Sequence, residues 1–144
     1  MKIVIATHNN DKLKELEGVF KVQDNDIELL SLSSFSEIGE IEETGKTLEE
    51  NALLKAKTVN ELTGLPTLSD DTGLEVDALH GDPGIYTARF AGENCSYYDN
   101  IQKLIKELQK VPMANRTATF RTVISYVDKD FHLCVEGVAE GIIS

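Results

Sequence analysis

Strand-like and helix-like segments alternate along this chain, which predicts an α/β protein with a mixed sheet. Three observations carry that prediction. An apolar start, Ile3-Val4-Ile5-Ala6, is followed at helical spacing by Leu13, Leu16 and Phe20. A second amphipathic helix opens at Thr47. A long alternating segment over 116–127 then returns as a hairpin.

Taken in order, residues 2–6 read as a strand and 11–21 as a helix. Ile27 to Leu32 reads as a second strand, and residues 33–46, with Ser, Gly and several acids, as a loop. Thr47-Leu48-Glu49-Glu50 is a capping box, in which Thr and Glu satisfy each other's free amides. Its helix runs to about Leu62 and ends at Gly64 and Pro66, with Leu48, Ala52, Val59 and Leu62 as its apolar stripe. Two strands flank Asp70-Asp71: a short one from Leu65 to Leu68, and one with Leu74, Val76 and Ala78 opposite Glu75 and Asp77. Residues 80–95, containing His80-Gly81-Asp82-Pro83-Gly84, form a loop. A helix fits 97–109, with Ile101, Leu104, Ile105 and Leu108 apolar. In 116–127, Ala118, Phe120, Thr122, Ile124 and Tyr126 share a face; Asp128-Lys129-Asp130 turns, and Phe131 to Val135 pairs back. With no repeat, linker or low-complexity segment, residues 1–144 read as one domain.

The bulk composition excludes several functions. A hydrophobic content of 41% and charged content of 27% over 144 residues are those of an ordinary globular domain. A net charge of −11 argues against a nucleic-acid surface, though not against a small phosphate ligand met by a few lysines and a cation. No apolar run approaches the ~20 residues of a membrane span. The start is too soon broken by polar residues for a signal peptide. Cys95 and Cys134, far apart and without CxxC spacing, read as reduced thiols in a cytoplasmic chain.

The segment richest in chemistry is Ser69-Asp70-Asp71-Thr72-Gly73. Adjacent carboxylates repel and are costly to desolvate, so the pair belongs at a strand end or tight bend, either solvated or around a cation. Glu42 and Glu43 are candidates to join Asp70 and Asp71 around Mg²⁺, against the alternative of a solvated acidic loop. Thr7-His8-Asn9-Asn10-Asp11-Lys12 leads from strand to helix, the arrangement that presents amides to an anion. Lys12 in a first helical turn opposes the helix dipole, which suits a neighbouring phosphate or an ordinary solvated lysine. Lys55 projects from the middle of an apolar stripe, with Asn51 near its edge, so it either snorkels to water or meets an anion. Gly45-Lys46-Thr47 fails the P-loop spacing, and the residues between Gly39 and Gly45 include acids that repel phosphate. His8, His80 and His132 are not spaced as ligands, and nothing in the sequence marks a nucleophilic triad.

Together these segments resemble the inosine triphosphate pyrophosphatase family of non-canonical purine nucleoside triphosphate pyrophosphatases. Thr7, Asn9 and Lys12 match the family's T-x-N-x-x-K opening. Glu42-Glu43-Thr44-Gly45 and Thr47 to Ala56 match its acidic loop and following helix, with Leu48 where Phe is frequent. Ser69 to Leu74 matches its acidic signature, and Pro83-Gly84-Ile85-Tyr86-Thr87-Ala88-Arg89-Phe90-Ala91-Gly92 a further block. The resemblance implies an elongated mixed sheet flanked by helices, two lobes with a cleft, and a homodimer. It implies Mg²⁺-dependent hydrolysis of ITP, dITP or XTP to the monophosphate and pyrophosphate. The family pattern runs on past the position of Ser144 with F-G-Y-D-P, a lysine and S-H-R, segments that form a purine-binding wall, so the domain is expected to be incomplete, with poor base discrimination.

On this reading Asp71 is the base and Lys55 neutralises the phosphate chain. Thr7, His8, Asn9, Asn10, Asp11, Lys12, Lys55 and Thr72 bind substrate. Glu42 and Asp71 hold Mg²⁺, with Glu43 and Asp70 close by. Two alternatives stand beside it: a non-catalytic chain that binds triphosphate weakly or only dimerises, and a Maf-type nucleotide pyrophosphatase.

Overall fold

The computed structural model describes residues 1–23 and 26–144. Its strands are β1 (Lys2–Ile5), β2 (Glu28–Ser31), β3 (Thr67–Val76), β4 (Pro83–Gly84), β5 (Thr117–Asp128) and β6 (Phe131–Ile142); its helices are α1 (Asn10–Gln23), α2 (Leu48–Thr63) and α3 (Tyr97–Glu107). The strands make one sheet in the order β2-β1-β3-β5-β6, with β4 beside β3. β1 runs parallel to β2 and β3, and β3 antiparallel to β4, so the sheet is mixed as expected. The chain divides into two compact units, residues 1–71 with 123–135, and residues 72–122 with 136–144.

In the first unit, β1 is central and covered on both faces. Ile3 and Ile5 pack with Leu29 and with Leu13, Leu16 and Phe20 of α1. Val4 and Ala6 pack with Leu32, Ile38 and Val59, the last from α2. A strand covered on both sides needs no polar alternation, which explains the unbroken run Ile3-Val4-Ile5-Ala6. Parallel pairing of β1 with β2 requires a crossover, which α1 supplies.

α2 departs from its expected details in two respects. Thr47 Oγ1 accepts from Glu50 N at 3.0 Å, as a capping box requires, but the Glu50 carboxylate takes the N–H of Lys46 at 2.6 Å rather than that of Thr47. The buried face is Leu48, Asn51, Ala52, Ala56 and Val59, whereas Leu62 is 63% exposed. At Gly64 the backbone turns left-handed (φ 71°) and its N–H closes the helix on Asn60 O at 2.8 Å.

β3 is the main correction. The two short strands expected around Asp70-Asp71 are one continuous strand of 10 residues. Val4 and Ile5 of β1 align with Thr67 and Leu68 at its start, and Gly84 and Pro83 of β4 with Leu74 and Glu75 near its end. Ladder pairing at both ends holds the backbone extended through residues that otherwise favour turns.

The second unit packs around Leu108, which is fully buried with Leu74, Val76 and Ala118 and contacts Leu104 and Ile143. α3 opens with a capping box between Ser96 and Asp99. Only one side of its apolar stripe is used: Leu104 and Leu108 pack inward, while Ile101 and Ile105 are exposed. Arg121 Nε donates to both carboxylate oxygens of Glu75 at 3.1 and 3.2 Å, and its Nη1 donates to Glu136. One guanidinium thus joins β3, β5 and β6.

Along β5 the buried set changes parity, from Ala118 to Val123, Ser125 and Val127, so the expected face that includes Phe120 is not a uniform core face. β6 extends to Ile142, beyond the expected Val135, and Phe131, Leu133, Val135, Val138 and Ile142 on it are exposed. Among the described residues no helix is long and apolar enough to cross a membrane.

Leu108→Ala should cost about 2–5 kcal/mol in urea unfolding, the range for truncating a packed core leucine. Leu62→Ala should fall within about 0.5 kcal/mol, as for a surface position.

Candidate active site

Four segments of the first unit converge here: the loop after β1, the acidic loop before α2, α2 itself, and the first half of β3. Extended backbone sends successive side chains to opposite faces. Thr67, Ser69 and Asp71 are buried on one face, and Ser69 Oγ donates to Ala52 O of α2. Asp70 points the other way, and Lys12 Nζ of α1 donates to its Oδ2 at 2.6 Å. The acid pair is therefore tolerated inside a strand because its two carboxylates diverge.

Lys55 is the cation on the α2 side. Its Nζ donates to the backbone oxygen of Asp70 at 2.5 Å and lies 3.2 Å from Glu43 Oε1. The lysine in the apolar stripe thus meets an anion and a backbone carbonyl, rather than only snorkelling. Asp71 is 9% exposed. Burial first, then the charge of Glu43, pushes its carboxyl up from 3.8 to about 6; Lys55 and the Asn51 amide pull it down, and Asp70 adds a small upward push. Asn51 Nδ2 and Asp71 Oδ2 are both buried and neither completes a hydrogen bond. The Asn51 amide nonetheless faces the Asp71 carboxylate as a hydrogen-bond donor, which is how it lowers the pKa. Two such unsatisfied groups cost about 1–3 kcal/mol each, and a native fold keeps them where a ligand or water engages them.

The expected substrate loop is built by its own side chains. Thr7 Oγ1 accepts from Asn9 N at 3.0 Å, and Asn9 Oδ1 caps α1 by accepting from Asp11 N at 2.9 Å and Lys12 N at 3.3 Å. Asn10 Oδ1 accepts from Ser33 Oγ at 3.2 Å, and His8 Nε2 lies 3.4 Å from Gly39 O. Asp11 is exposed in the first turn of α1. Thr72 belongs to the second unit, where its hydroxyl pairs with that of Thr122 at 2.9 Å.

The expected acids do not assemble as a four-carboxylate cage. Glu43 lies beside Lys55 and acts on Asp71, Asp70 turns to Lys12, and Glu42 is exposed. Among the described residues no three His, Cys, Asp or Glu side chains group as metal ligands. Mg²⁺ does not require such a cage. It keeps waters and binds through one or two carboxylates plus substrate phosphates, so the unpartnered Asp71 oxygen beside Glu43 fits it.

Sequence reasoning placed Asn51 only at the edge of a stripe, yet it is 1% exposed and central to the site. Gly45 was considered only as part of a failed P-loop. Its N–H donates to Asn51 Oδ1 at 2.7 Å, and a Cβ at Gly45 would stand 2.6 Å from that same oxygen. The glycine is therefore required by close approach. The available signal was an amide four residues before a lysine on one helix face.

The raised Asp71 pKa has a definite sign. The unfolded carboxyl releases its proton near 3.8 and the folded one near 6, so between these values the folded chain binds more protons. Stability then falls as pH rises from about 4 to beyond 6, by about 1–2 kcal/mol after allowance for partial solvation. In metal-free buffer, Asp71→Asn should flatten this part of the melting profile. Lys55→Met, which removes a cation that lowers the pKa, should move the inflection above that of the wild type. A profile unchanged by Asp71→Asn would contradict the assignment.

Comparison with known proteins shows the family and the fold. The Ham1 family model matches residues 3–144. A dITP/XTP pyrophosphatase of Thermoanaerobacter pseudethanolicus is 47% identical over 143 residues, spanning 99% of this chain and 71% of that one. One from Geobacter sulfurreducens is 49% identical over 124 residues, 86% of this chain and 61% of that one. Among solved structures, a HAM1 protein from Coxiella burnetii superposes with a TM-score of 0.89 at 37% identity, over 100% of this chain and 73% of that one. The Staphylococcus aureus Ham1 protein gives 0.86 at 39% identity, over 100% and 72%. With the fold shared at this identity and the match running almost end to end, the chain belongs to the Ham1 family, whose curated relatives include dITP/XTP pyrophosphatases.

Proposed function

We propose that this protein hydrolyses non-canonical purine nucleoside triphosphates (dITP, ITP and XTP) to the monophosphate and pyrophosphate in a Mg²⁺-dependent reaction. The observation that carries the reading is Asp71, a buried carboxyl with a pKa near 6 and an oxygen that bonds to nothing in the protein. A base poised near neutral pH accepts a proton from water without being fully protonated itself. The names of the relatives support the substrate class.

Each further residue has a task in this reading. Glu42 and Asp71 would hold the cation, with Glu43, which lies beside Lys55, and Asp70 as further candidates. When bound, Mg²⁺ supplies charge neutralisation on the phosphates and on the departing pyrophosphate. Lys55 contributes fixed positive charge next to Asp71. Thr7, His8, Asn9, Asn10 and Asp11 are assigned to substrate through the turn they form before α1, in which the Thr7 and Asn9 side chains hold the N–H groups of Asn9, Asp11 and Lys12. Lys12 exchanges its bond to Asp70 for one to phosphate. Thr72, next to Asp71 in sequence, is assigned to substrate in the same reading. A homodimer and a cytoplasmic location belong to the same proposal and rest on family membership.

The test is pyrophosphate release from dITP, ITP, XTP, GTP and ATP, with Mg²⁺ and with EDTA. Release should need Mg²⁺ and should occur with the non-canonical purines. Asp71→Asn should lower kcat about 10²–10⁴-fold, the usual loss for a general base. Unchanged turnover in that variant overturns the base assignment. Binding without release favours a non-catalytic chain, and preference for other nucleotides favours a Maf-type activity.

A further inference from the structure

Asn51 stands between the two segments that carry the acids of the site. It is 1% exposed, on the core-facing side of α2. Its Oδ1 accepts the Gly45 N–H at 2.7 Å, which fastens the acidic loop to the helix two residues after Glu43. That bond fixes which end of the amide is oxygen, so Nδ2 is turned away from the loop. Nδ2 faces the Asp71 carboxylate as a donor and is buried with no other acceptor. Asp71 Oδ2 has no protein partner, which leaves that oxygen to the cation.

The fastening is close. A Cβ at Gly45 would meet Asn51 Oδ1 at 2.6 Å and Glu50 Cβ at 2.7 Å, so only glycine brings the loop this near to the helix. Lys55, one turn further along α2, lies 3.2 Å from Glu43 Oε1 and holds the loop at a second point. Packing alone does not call for an amide at position 51. Leucine has the same branched shape and leaves no buried polar atom to satisfy.

We propose that Asn51 is a positioning residue for the cation site: one end of its amide grips the acidic loop through Gly45, the other orients the Asp71 carboxylate, and the two together set Glu42 and Glu43 in register with Asp71. The proposal rests on the pyrophosphohydrolase reading and adds to it a residue that touches neither nucleotide nor cation. A carboxylate without support rotates about its side-chain bonds, and a loop without an anchor carries its acids away. Loss of the partner behind a metal-binding carboxylate typically costs about 10–100-fold in metal affinity or activity.

The variants are Asn51→Leu, which keeps the shape and removes both polar ends, and Gly45→Ala, which forces loop and amide apart while leaving every acid in place. Melting in metal-free buffer reads the fold. Mg²⁺ is then titrated into each protein holding the non-hydrolysable α,β-methylene analogue of dITP, and the rise in melting temperature gives the half-saturating concentration without turnover. Steady-state release of pyrophosphate from dITP gives kcat. Asn51→Leu should melt at or above the wild-type temperature in metal-free buffer, because a buried unsatisfied amide is gone. It should nevertheless need at least tenfold more Mg²⁺ and lose at least tenfold in kcat. Gly45→Ala should move both quantities in the same direction. A wild-type Mg²⁺ requirement in folded Asn51→Leu overturns the proposal, whatever its melting temperature. Failure of both variants to fold assigns Asn51 to the fold alone and also overturns it. A wild type whose melting does not respond to Mg²⁺ with the analogue, and which releases no pyrophosphate, instead removes the underlying reading.

Discussion

The site depends on the two-residue period of β3. An extended strand sends Asp70 to α1 and Asp71 to α2, and that divergence allows two adjacent carboxylates to share a folded backbone. Each then acquires its own environment. Asp70 is partly exposed and paired with Lys12, while Asp71 is buried and shares Lys55 with Glu43. Had the pair formed a turn, both acids would face solvent and neither would have a pKa near 6.

Charge around Asp71 is balanced rather than neutralised. Lys55 favours the ionised carboxyl, and Glu43 together with burial favours the protonated one. The second influence wins, because desolvation penalises a charge more than one lysine, already engaged by Glu43 and the Asp70 carbonyl, restores. Arg121 shows the contrasting case. It sits between Glu75 and Glu136, both of which hold its guanidinium in the charged form, and the result is a cross-strand tie.

α2 serves the core and the site from one face. Leu48, Ala52, Ala56 and Val59 anchor it, and Asn51 and Lys55 arise from the same surface one turn apart. Because the apolar residues fix the helix rotation, the two polar groups are placed without further constraint. The unsatisfied amide is the cost of that placement, and Gly45 is the backbone concession that permits it.

The sequence by itself determined most of the element types, the mixed α/β class, the family and the identity of the charged residues, because apolar periodicity, capping residues and motif order are local signals. It marked Lys55 as an anomaly, since a cation in an apolar stripe is visible from spacing alone. Tertiary structure decided what those residues meet. Asp-Asp-Thr-Gly reads as a turn until β1 and β4 pair with its flanks and hold it extended. Asn51 reads as a boundary residue until α2 docks and removes it from water. Gly45 reads as half a phosphate loop until the Asn51 amide arrives against it. In each case the deciding contact joins segments distant along the chain or across a turn, and no local propensity encodes the partner's position.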